Sequence, residues 1–248
     1  MIFVDKVAKG FKAKTGYVQA VKSVSFSAED GQITGLLGPN GAGKTTTLRL
    51  LYGLLRAESG AIRVDGCDVG SNPVEARRRL GVLPDTRGLY TRLTARENIE
   101  YFARLNGVSA REAESELERL VASLDMSDFI DRRCEGFSQG QRTKTAIARS
   151  VIHRPQNIVL DEPTNGLDVM TTRGLRRFLE SCRAEGRCVV LSTHIMQEVA
   201  ALCDQVVVIA HGSVVAQGSP EELKVLSGQE NLEDAFVHLI GSEEGLML

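Results

Sequence analysis

The first 35 residues alternate between apolar and polar side chains, a pattern that predicts β-strands. Ile2-Phe3-Val4 opens one strand, and residues 18–26 form another. The side chains expected on the inner face of the second strand are Val18, Ala20, Val24 and Phe26. Residues 33–37 are a short apolar strand that runs directly into a glycine-rich segment. Further strands are expected at 61–64 and 81–83.

Helical spacing of apolar residues begins after the glycine-rich segment and dominates the region between residues 88 and 152. The spacing predicts helices over 45–55, 95–106, 110–124 and 138–152. Ser109, followed three residues later by Glu112, fits a capping box at the start of the third helix. We therefore expect residues 88–152 to form a helical insertion.

Three later apolar runs, at 158–160, 189–192 and 206–209, have the length of buried parallel strands. Helical stretches at 171–184 and 195–203 separate them, and strands that alternate with helices predict an α/β core. One more amphipathic helix is expected at 232–240. The predicted organisation is one domain over residues 1–230, with the helical insertion inside it, followed by a helical tail over 231–248.

The chain has 248 residues, of which 42% are hydrophobic and 25% charged, so it is able to bury a sizeable core. This composition excludes disordered and disulfide-stapled proteins. The net charge of −2 provides no general attraction to nucleic acid, and no nucleic-acid partner is expected. No apolar run approaches the roughly 20 residues of a membrane span, and the N-terminus lacks a secretory signal. We expect a cytoplasmic protein.

The glycine-rich segment is Gly38-Pro39-Asn40-Gly41-Ala42-Gly43-Lys44-Thr45. It fits the phosphate-binding pattern G-x-x-x-x-G-K-S/T in full, with a predicted strand before it and a predicted helix after it. Glycines let successive N–H groups wrap around phosphates, and the helix N-terminus adds positive potential. We expect Lys44 to reach the β- and γ-phosphates of a nucleotide and Thr45 to ligate Mg²⁺.

A pair of carboxylates, Asp161 and Glu162, follows the apolar strand at 158–160. The carboxyl ends of strands in an open α/β sheet face the ligand crevice. Asp161 is therefore a candidate to support Mg²⁺, and Glu162 a candidate base for an attacking water. An Asp-Glu pair is also common in solvated turns, but the buried strand before it and the phosphate loop favour the catalytic interpretation.

Phe137-Ser138-Gln139-Gly140-Gln141 lies at the start of the helix predicted at 138–152. Ser138 and Gln141 fit a capping box, and a capped helix N-terminus beside a glycine also suits an anion. Three more segments complete a pattern: Leu160-Asp161-Glu162-Pro163, Gly166-Leu167-Asp168 and Ser192-Thr193-His194. With these segments in this order, nearly the whole chain closely resembles the ATP-binding subunits of ABC transporters.

The resemblance implies a P-loop NTPase core of the ABC ATPase type, with a RecA-like, mostly parallel sheet, an antiparallel β subdomain and the inserted α-helical subdomain. It implies that ATP and Mg²⁺ bind between two chains arranged head to tail, as a homodimer or with a paralogous ATPase subunit. The catalytic residues that it implies are Lys44, Glu162 and His194. The nucleotide contacts that it implies are Phe11, Gly38, Pro39, Asn40, Gly41, Ala42, Gly43, Lys44, Thr45, Thr46, Ser138, Gly140, Gln141 and Asp168. The metal ligands that it implies are Thr45, Asp85 and Asp161.

The segment at 137–141 corresponds to the signature of the family, and two of its positions differ from the family pattern. One further contact has two candidates. Phe137 and Gln139 stand where the family has Leu and Gly, so Gln139 adds a side chain beside the expected phosphate contact. An aromatic residue is expected to stack on adenine. Phe11 has the family spacing, and Tyr17 is the alternative.

Asp85 is the larger departure, because the family usually has Gln at this position. Its carboxylate is able to bind Mg²⁺, but it adds negative charge beside Asp161 and Glu162. The segment at 85–90 is similar to the bacterial sodium-export ATPases of the NatA type.

The favoured function is that of the ATP-hydrolysing subunit of an exporter, peripheral on the inner face of the cell membrane through a separate transmembrane permease subunit. Sodium ions, drugs and other small solutes are the candidate cargoes. The alternative is a soluble ABC-type ATPase that acts on ribosomes or nucleic acid, although such proteins usually carry two cassettes, coiled coils or zinc modules. A P-loop kinase is a third hypothesis, and it leaves the signature and His194 unexplained.

Overall fold

The computed structural model describes residues 1–13, 16–86 and 88–241, and ten strands within them join in a single sheet. The strands are β1 (Ile2–Ala13), β2 (Gly16–Ala28), β3 (Ile33–Leu37), β4 (Ser59–Val64), β5 (Cys67–Asp68), β6 (Leu80–Leu83), β7 (Asn157–Asp161), β8 (Cys188–Thr193), β9 (Gln205–Ala210) and β10 (Ser213–Gly218). The helices are α1 (Lys44–Leu51), α2 (Pro73–Arg78), α3 (Ala95–Leu105), α4 (Ala110–Ser123), α5 (Gln139–Val151), α6 (Val169–Ala184), α7 (Met196–Leu202), α8 (Pro220–Ser227) and α9 (Leu232–Ile240).

The sheet has a parallel and an antiparallel part. The strand order is β5-β4-β1-β2-β10-β9-β3-β8-β7-β6. In this order, the last five strands, β9-β3-β8-β7-β6, pair in parallel. The first four strands, β5-β4-β1-β2, pair antiparallel. Strands β3, β7 and β8 are buried along their whole length, because their side chains point alternately into two hydrophobic cores. The predicted α/β architecture, with a mostly parallel sheet and an antiparallel β subdomain, is confirmed.

The carboxyl ends of β3, β7 and β8 meet at one edge of the sheet. Leu37 pairs with Thr193, and Asp161 pairs with Ser192. The loop after β3, the residue after β7 and the residue after β8 therefore lie side by side. This edge is where ligands bind in open α/β sheets, and it positions the candidate site.

The prediction for the inner face of β2 is wrong at Val18, which is 52% exposed. Strand β2 has one residue more than β1 between the Val7–Val24 pair and the Lys9–Val21 pair. Because of this irregularity, Val21 is buried, although the expected alternation of inner residues runs through even-numbered positions. Val18 pairs instead with Phe11, an exposed residue of β1, near the end of the two strands where Ala13 pairs with Gly16.

Helices α3, α4 and α5 lie between β6 and β7, close to the predicted bounds. A capping box begins each of them, at Thr94, Ser109 and Ser138, and the two boxes predicted from the sequence are confirmed. Ile99 of α3 and Ile158 of β7 belong to one continuous hydrophobic core, and α5 contacts β6, so the helical block packs on the sheet. Its limits as a subdomain at 88–152 stay a prediction.

The sequence pattern does not predict β5, α2, β10 or α8, which are all short. Helix α8 nevertheless has a start signal, because Ser219 and Glu222 form a capping box and Pro220 occupies the first turn. Helix α1 ends at Leu51 rather than at residue 55, since the chain turns through Gly53, whose φ is 68°.

Helix α9 agrees with the helix predicted at 232–240. The remainder of the predicted tail, 242–248, lies outside the described residues, and so does Arg87 of the segment at 85–90. In the part of the chain that the structure describes, no helix has the length and apolar character needed to cross a membrane.

Candidate functional site

The loop between β3 and α1 is built on glycines in positions that are closed to other residues. A β-carbon at Gly38 would collide with the carbonyl oxygen of Ile209 in β9. Gly43 has a φ of 107°, and it begins α1 without a side-chain cap. The first N–H groups of α1 therefore have no side-chain acceptor at this end, which is the arrangement that binds anions.

Lys44 is the first residue of α1, and its side chain is only 6% exposed. Its Nζ donates to the carbonyl oxygens of Gly38 and Pro39, at 2.6 and 3.2 Å, and lies 3.7 Å from Glu162 Oε1. Burial lowers the pKa of Lys44, and the negative charges of Glu162 and Asp161 oppose this shift. The loop thus holds a buried cation against its own backbone at the start of α1.

Asp161, the last residue of β7, has one bonded and one unpartnered carboxylate oxygen. Oδ1 accepts from Ser192 Oγ at 2.6 Å and from Thr45 Oγ1 at 3.2 Å. Oδ2 is buried without a hydrogen-bond partner among the described residues. Burial raises the pKa of Asp161, and the charges of Asp85 and Glu162 add to this effect. A free carboxylate oxygen beside a hydroxyl is a donor set that suits a hard cation.

Glu162 follows Asp161 and adopts a left-handed backbone conformation, with a φ of 46°. Its N–H donates to Ser192 Oγ at 3.0 Å, which holds this unfavourable conformation in place. His194 Nδ1 lies 2.9 Å from Glu162 Oε2. The two side chains that were predicted from separate strands are thus in direct contact, and both oxygens of Glu162 face a nitrogen.

A groove of about 360 Å³ lies over the loop. It is lined by Phe11, Ala20, Pro39, Asn40, Gly41, Ala42, Gly43, Lys44, Thr45, Thr46 and Glu162. Tyr17, the alternative to Phe11, points elsewhere, because its hydroxyl donates to Glu58 Oε2 at 2.7 Å. The groove therefore combines an aromatic ring, the glycine-rich loop and a carboxylate, and its volume suits a small ligand.

The signature segment forms the capped start of α5. Gln141 N–H donates to Ser138 Oγ at 3.2 Å, and Ser138 N–H donates to Gln141 Oε1 at 3.1 Å. A β-carbon on Gly140 would press on Thr171 of α6, at 3.0 Å from its Oγ1, so this glycine permits close packing. None of these residues is among the described residues that line the groove over the phosphate loop.

Comparison with known proteins identifies the family. The sequence profile of the ABC transporter family matches residues 21–165. The chain belongs to the ABC transporter family. Within this family it is an ATP-binding subunit, and its activity is the hydrolysis of ATP.

Two relatives and a solved structure support this assignment. The chain is 42% identical to the ABC transporter ATP-binding protein NatA of Bacillus subtilis (strain 168), over 96% of this chain and 97% of that protein. It is 37% identical to the Nod factor export ATP-binding protein I of Ralstonia nicotianae (strain ATCC BAA-1114 / GMI1000), over 87% of this chain and 67% of that protein. A solved structure of the ATP-binding subunit of an ABC transporter superposes with a TM-score of 0.88 at 29% identity, over 96% of this chain and 99% of the other.

Asp168, the aspartate of the loop after β7, caps helix α6 in this ABC subunit. Its Oδ1 accepts from Thr171 N–H at 2.9 Å, and its Oδ2 accepts from Thr171 Oγ1 at 2.7 Å. These bonds lower the pKa of the Asp168 carboxyl. The capping role is therefore present in the single chain, and a role in contacts between two chains stays a prediction.

Asp85 is not part of a bare carboxylate cluster. Arg49 Nη2 donates to Asp85 Oδ2 at 3.1 Å and to Oδ1 at 3.3 Å. The described part of the chain gathers no group of three or more His, Cys, Asp or Glu side chains in a metal-ligating arrangement. Arg49 therefore offsets part of the charge of Asp85, while the charges of Asp85 and Glu162 still contribute to the raised pKa of Asp161. The role of Asp85 as a metal ligand stays a prediction.

Ser192 lies in the segment Ser192-Thr193-His194, but the sequence assigns it no role in the site. Its hydroxyl donates to Asp161 Oδ1 and accepts from Glu162 N–H, so it fixes both members of the carboxylate pair. A signal was available, since a serine that ends an apolar strand two residues before His194 faces the same edge of the sheet as Asp161.

Proposed function

We propose that this ATPase subunit binds ATP together with Mg²⁺ between two chains arranged head to tail. The observation that carries the proposal is that the groove and the signature segment are not parts of one site within a single chain. In the dimer, the start of α5 from one chain closes the groove of the other. Ser138, Gly140 and Gln141 then offer the hydroxyl and the helix N-terminus to the γ-phosphate. The second chain is a copy of the first or a paralogous subunit.

The side chains of the groove divide the work of hydrolysis. Lys44, restrained by two backbone carbonyls, neutralises charge on the β- and γ-phosphates. Glu162 takes a proton from the attacking water, since its carboxylate projects into the groove from a fixed backbone. His194 contacts Glu162 and orients that carboxylate toward the water.

The oxygen donors at the end of β7 fit Mg²⁺. Thr45 Oγ1 and the free Oδ2 of Asp161 are the atoms that would hold it, with phosphate oxygens and water completing the coordination. A bound Mg²⁺ supplies positive charge that offsets the charge developing on the phosphates during hydrolysis.

We expect Phe11→Ala to weaken ATP binding by about 5- to 150-fold, the range of about 1–3 kcal/mol for stacking of a base on an aromatic ring. Affinity for inorganic tripolyphosphate, which has no base, should stay unchanged. Competition of both ligands against a fluorescent nucleotide measures the two affinities. Tyr17→Ala is the matched control, because its ring is tied to Glu58 outside the groove. An equal loss for both ligands would place Phe11 in the phosphate contacts rather than under adenine.

An exposed aromatic surface on the helical block is where we propose that the permease subunit docks. It consists of Tyr90, Tyr101 and Leu105, which are 50%, 43% and 62% exposed. The two tyrosine rings pack edge to face, with centroids 5.6 Å apart, and Leu105 follows Tyr101 by one turn of α3. Rigid aromatic side chains of this kind are enriched at protein interfaces.

The double variant Tyr101→Glu, Leu105→Glu should lose the membrane partner while it keeps its fold. Affinity purification of a tagged chain from solubilised membranes measures how much of a polytopic membrane protein is recovered. We expect a drop of about tenfold or more, as for truncation at the centre of an interface. Leu226→Glu on α8 is the control, since that leucine is 64% exposed on another surface. Equal recovery with the double variant, or an equal loss with the control, would contradict docking at this surface.

Export is the direction of transport that we propose, and sodium is the first cargo to test. The segment at 85–90 resembles the sodium-export subgroup, and one relative is named for the export of Nod factor. Liposomes that contain the purified subunit with its membrane partner, with ATP outside, should accumulate ²²Na⁺. Transport of a drug or another solute instead would keep the exporter and replace the cargo. Recovery of ribosomes rather than a membrane protein would favour the soluble ATPase.

A further inference from the structure

Asp85 and Arg49 join two parts of the chain that have different roles. Arg49 lies on α1, the helix that starts at Lys44, and Asp85 lies just after β6, at the entrance to the helical block. One guanidinium nitrogen contacts both oxygens of the carboxylate, at 3.1 and 3.3 Å. Both side chains are partly exposed, and ion pairs of this kind contribute little to stability. The pair is therefore easily exchanged for another partner of Asp85.

Two buried oxygens beside this pair have no hydrogen-bond partner among the described residues: the Tyr52 hydroxyl and Asp161 Oδ2. Burial raises the pKa of Tyr52 to about 12, with the charge of Asp161 adding to the shift and the Arg49 cation opposing it. The Tyr52 hydroxyl thus lies within the electrostatic reach of Arg49, Asp85 and Asp161. Arg49 already lies close enough to Tyr52 for its charge and its hydrogen-bond donors to oppose the raised pKa of that hydroxyl, so the guanidinium has a second partner at hand when it leaves Asp85.

We infer that Arg49 is a positioning residue that competes with the metal ion for Asp85. In the structure, Arg49 holds Asp85 and offsets part of its charge. When Mg²⁺ and ATP bind, Asp85 turns to the metal ion or to one of its waters, and Arg49 keeps the Tyr52 hydroxyl as its partner. This inference rests on the proposed Mg²⁺–ATP site. The inference assigns Asp85 a partner within its own chain, which is Arg49. It predicts that Arg49 lowers the affinity of the nucleotide complex for the metal ion.

The test measures metal binding without hydrolysis. Mn²⁺ is titrated into the subunit saturated with a non-hydrolysable ATP analogue, and electron paramagnetic resonance reports the free Mn²⁺. Arg49→Met should bind Mn²⁺ about two- to fivefold more tightly than the wild type, the factor that corresponds to an exposed ion pair. Arg49→Lys, which keeps the charge but loses the planar fork, should lie between the two. Arg63→Met, on an exposed arginine of β4, controls for the loss of one positive charge.

A double-mutant cycle separates competition between Arg49 and the metal ion for Asp85 from a general effect of the Arg49 charge. Asp85→Asn should bind Mn²⁺ more weakly than the wild type, and Arg49→Met should change nothing further in that background. An unchanged Mn²⁺ affinity in Arg49→Met would overturn the inference while leaving the proposed site intact. A full effect of Arg49→Met in the Asp85→Asn background would also overturn it. A wild-type complex that binds no Mn²⁺ would remove the proposed metal site and this inference together. Thermal unfolding shows whether each variant is folded.

Discussion

Glu162→Gln should bind ATP with near-normal affinity and hydrolyse it about 10²- to 10⁴-fold more slowly, the usual contribution of a general base. The amide keeps the size of the side chain and its position after β7, but it is unable to accept a proton from water. It also keeps the hydrogen-bonding reach toward His194, which lies 2.9 Å from the carboxylate in the wild type. Release of phosphate under saturating ATP measures the effect. Glu180→Gln, on an exposed face of α6, is the control for loss of one carboxylate.

The same variant tests the arrangement of two chains. If hydrolysis normally opens the dimer, Glu162→Gln with Mg²⁺ and ATP should accumulate as a dimer, which size-exclusion chromatography with light scattering detects. Adding Ser138→Arg to it should return the protein to monomers, because bulk and positive charge then occupy the start of α5. A strictly monomeric Glu162→Gln protein at saturating ATP would contradict assembly by ATP alone. Hydrolysis at the wild-type rate would remove Glu162 from the role of base.

The phosphate loop could be predicted residue by residue because its strand, loop and helix are consecutive in the chain. The requirements of Gly38 and Gly43 are local, and the pattern contains them. The proximity of Glu162 and His194 followed from a general rule, since each comes directly after a parallel strand and the carboxyl ends of the two strands share one edge. Fold class and the principal members of the site were therefore within reach of sequence reasoning.

What could not be predicted depends on pairing between distant residues. The partner of Asp85 is Arg49, and the charges of the two residues in the sequence do not show that they meet. Ser192 looks like an ordinary position of an apolar strand until the register places it opposite Asp161. Val18 fits a regular alternation, and only the irregular pairing of β1 with β2 shows why Val21 takes the buried position. Each of these features belongs to tertiary structure rather than to local pattern.

Lys44→Ala should lose ATP hydrolysis by about 10²- to 10³-fold or more, as expected when a preorganised charge is removed from a developing anion. Unlike Glu162→Gln, it should also bind ATP poorly. Hydrogen bonds to charged groups contribute about 1.5–3 kcal/mol, so the affinity should fall by about 10- to 150-fold. Nζ donates to the carbonyl oxygens of Gly38 and Pro39, so the loop holds this cation at the start of α1, where the phosphates are expected to bind.

The fold should survive this substitution. It leaves two carbonyl groups and Glu162 without their cation, at a cost of about 1–3 kcal/mol, against a typical domain stability of about 5–15 kcal/mol. Burial already disfavours the charged form of Lys44 and lowers its pKa, so its removal also relieves an unfavourable term. Lys22→Ala, on an exposed lysine of β2, is the matched control. Isothermal titration with ATP and a phosphate-release assay separate the two losses. Near-normal turnover by folded Lys44→Ala protein would contradict the assignment of this loop to the phosphates of ATP.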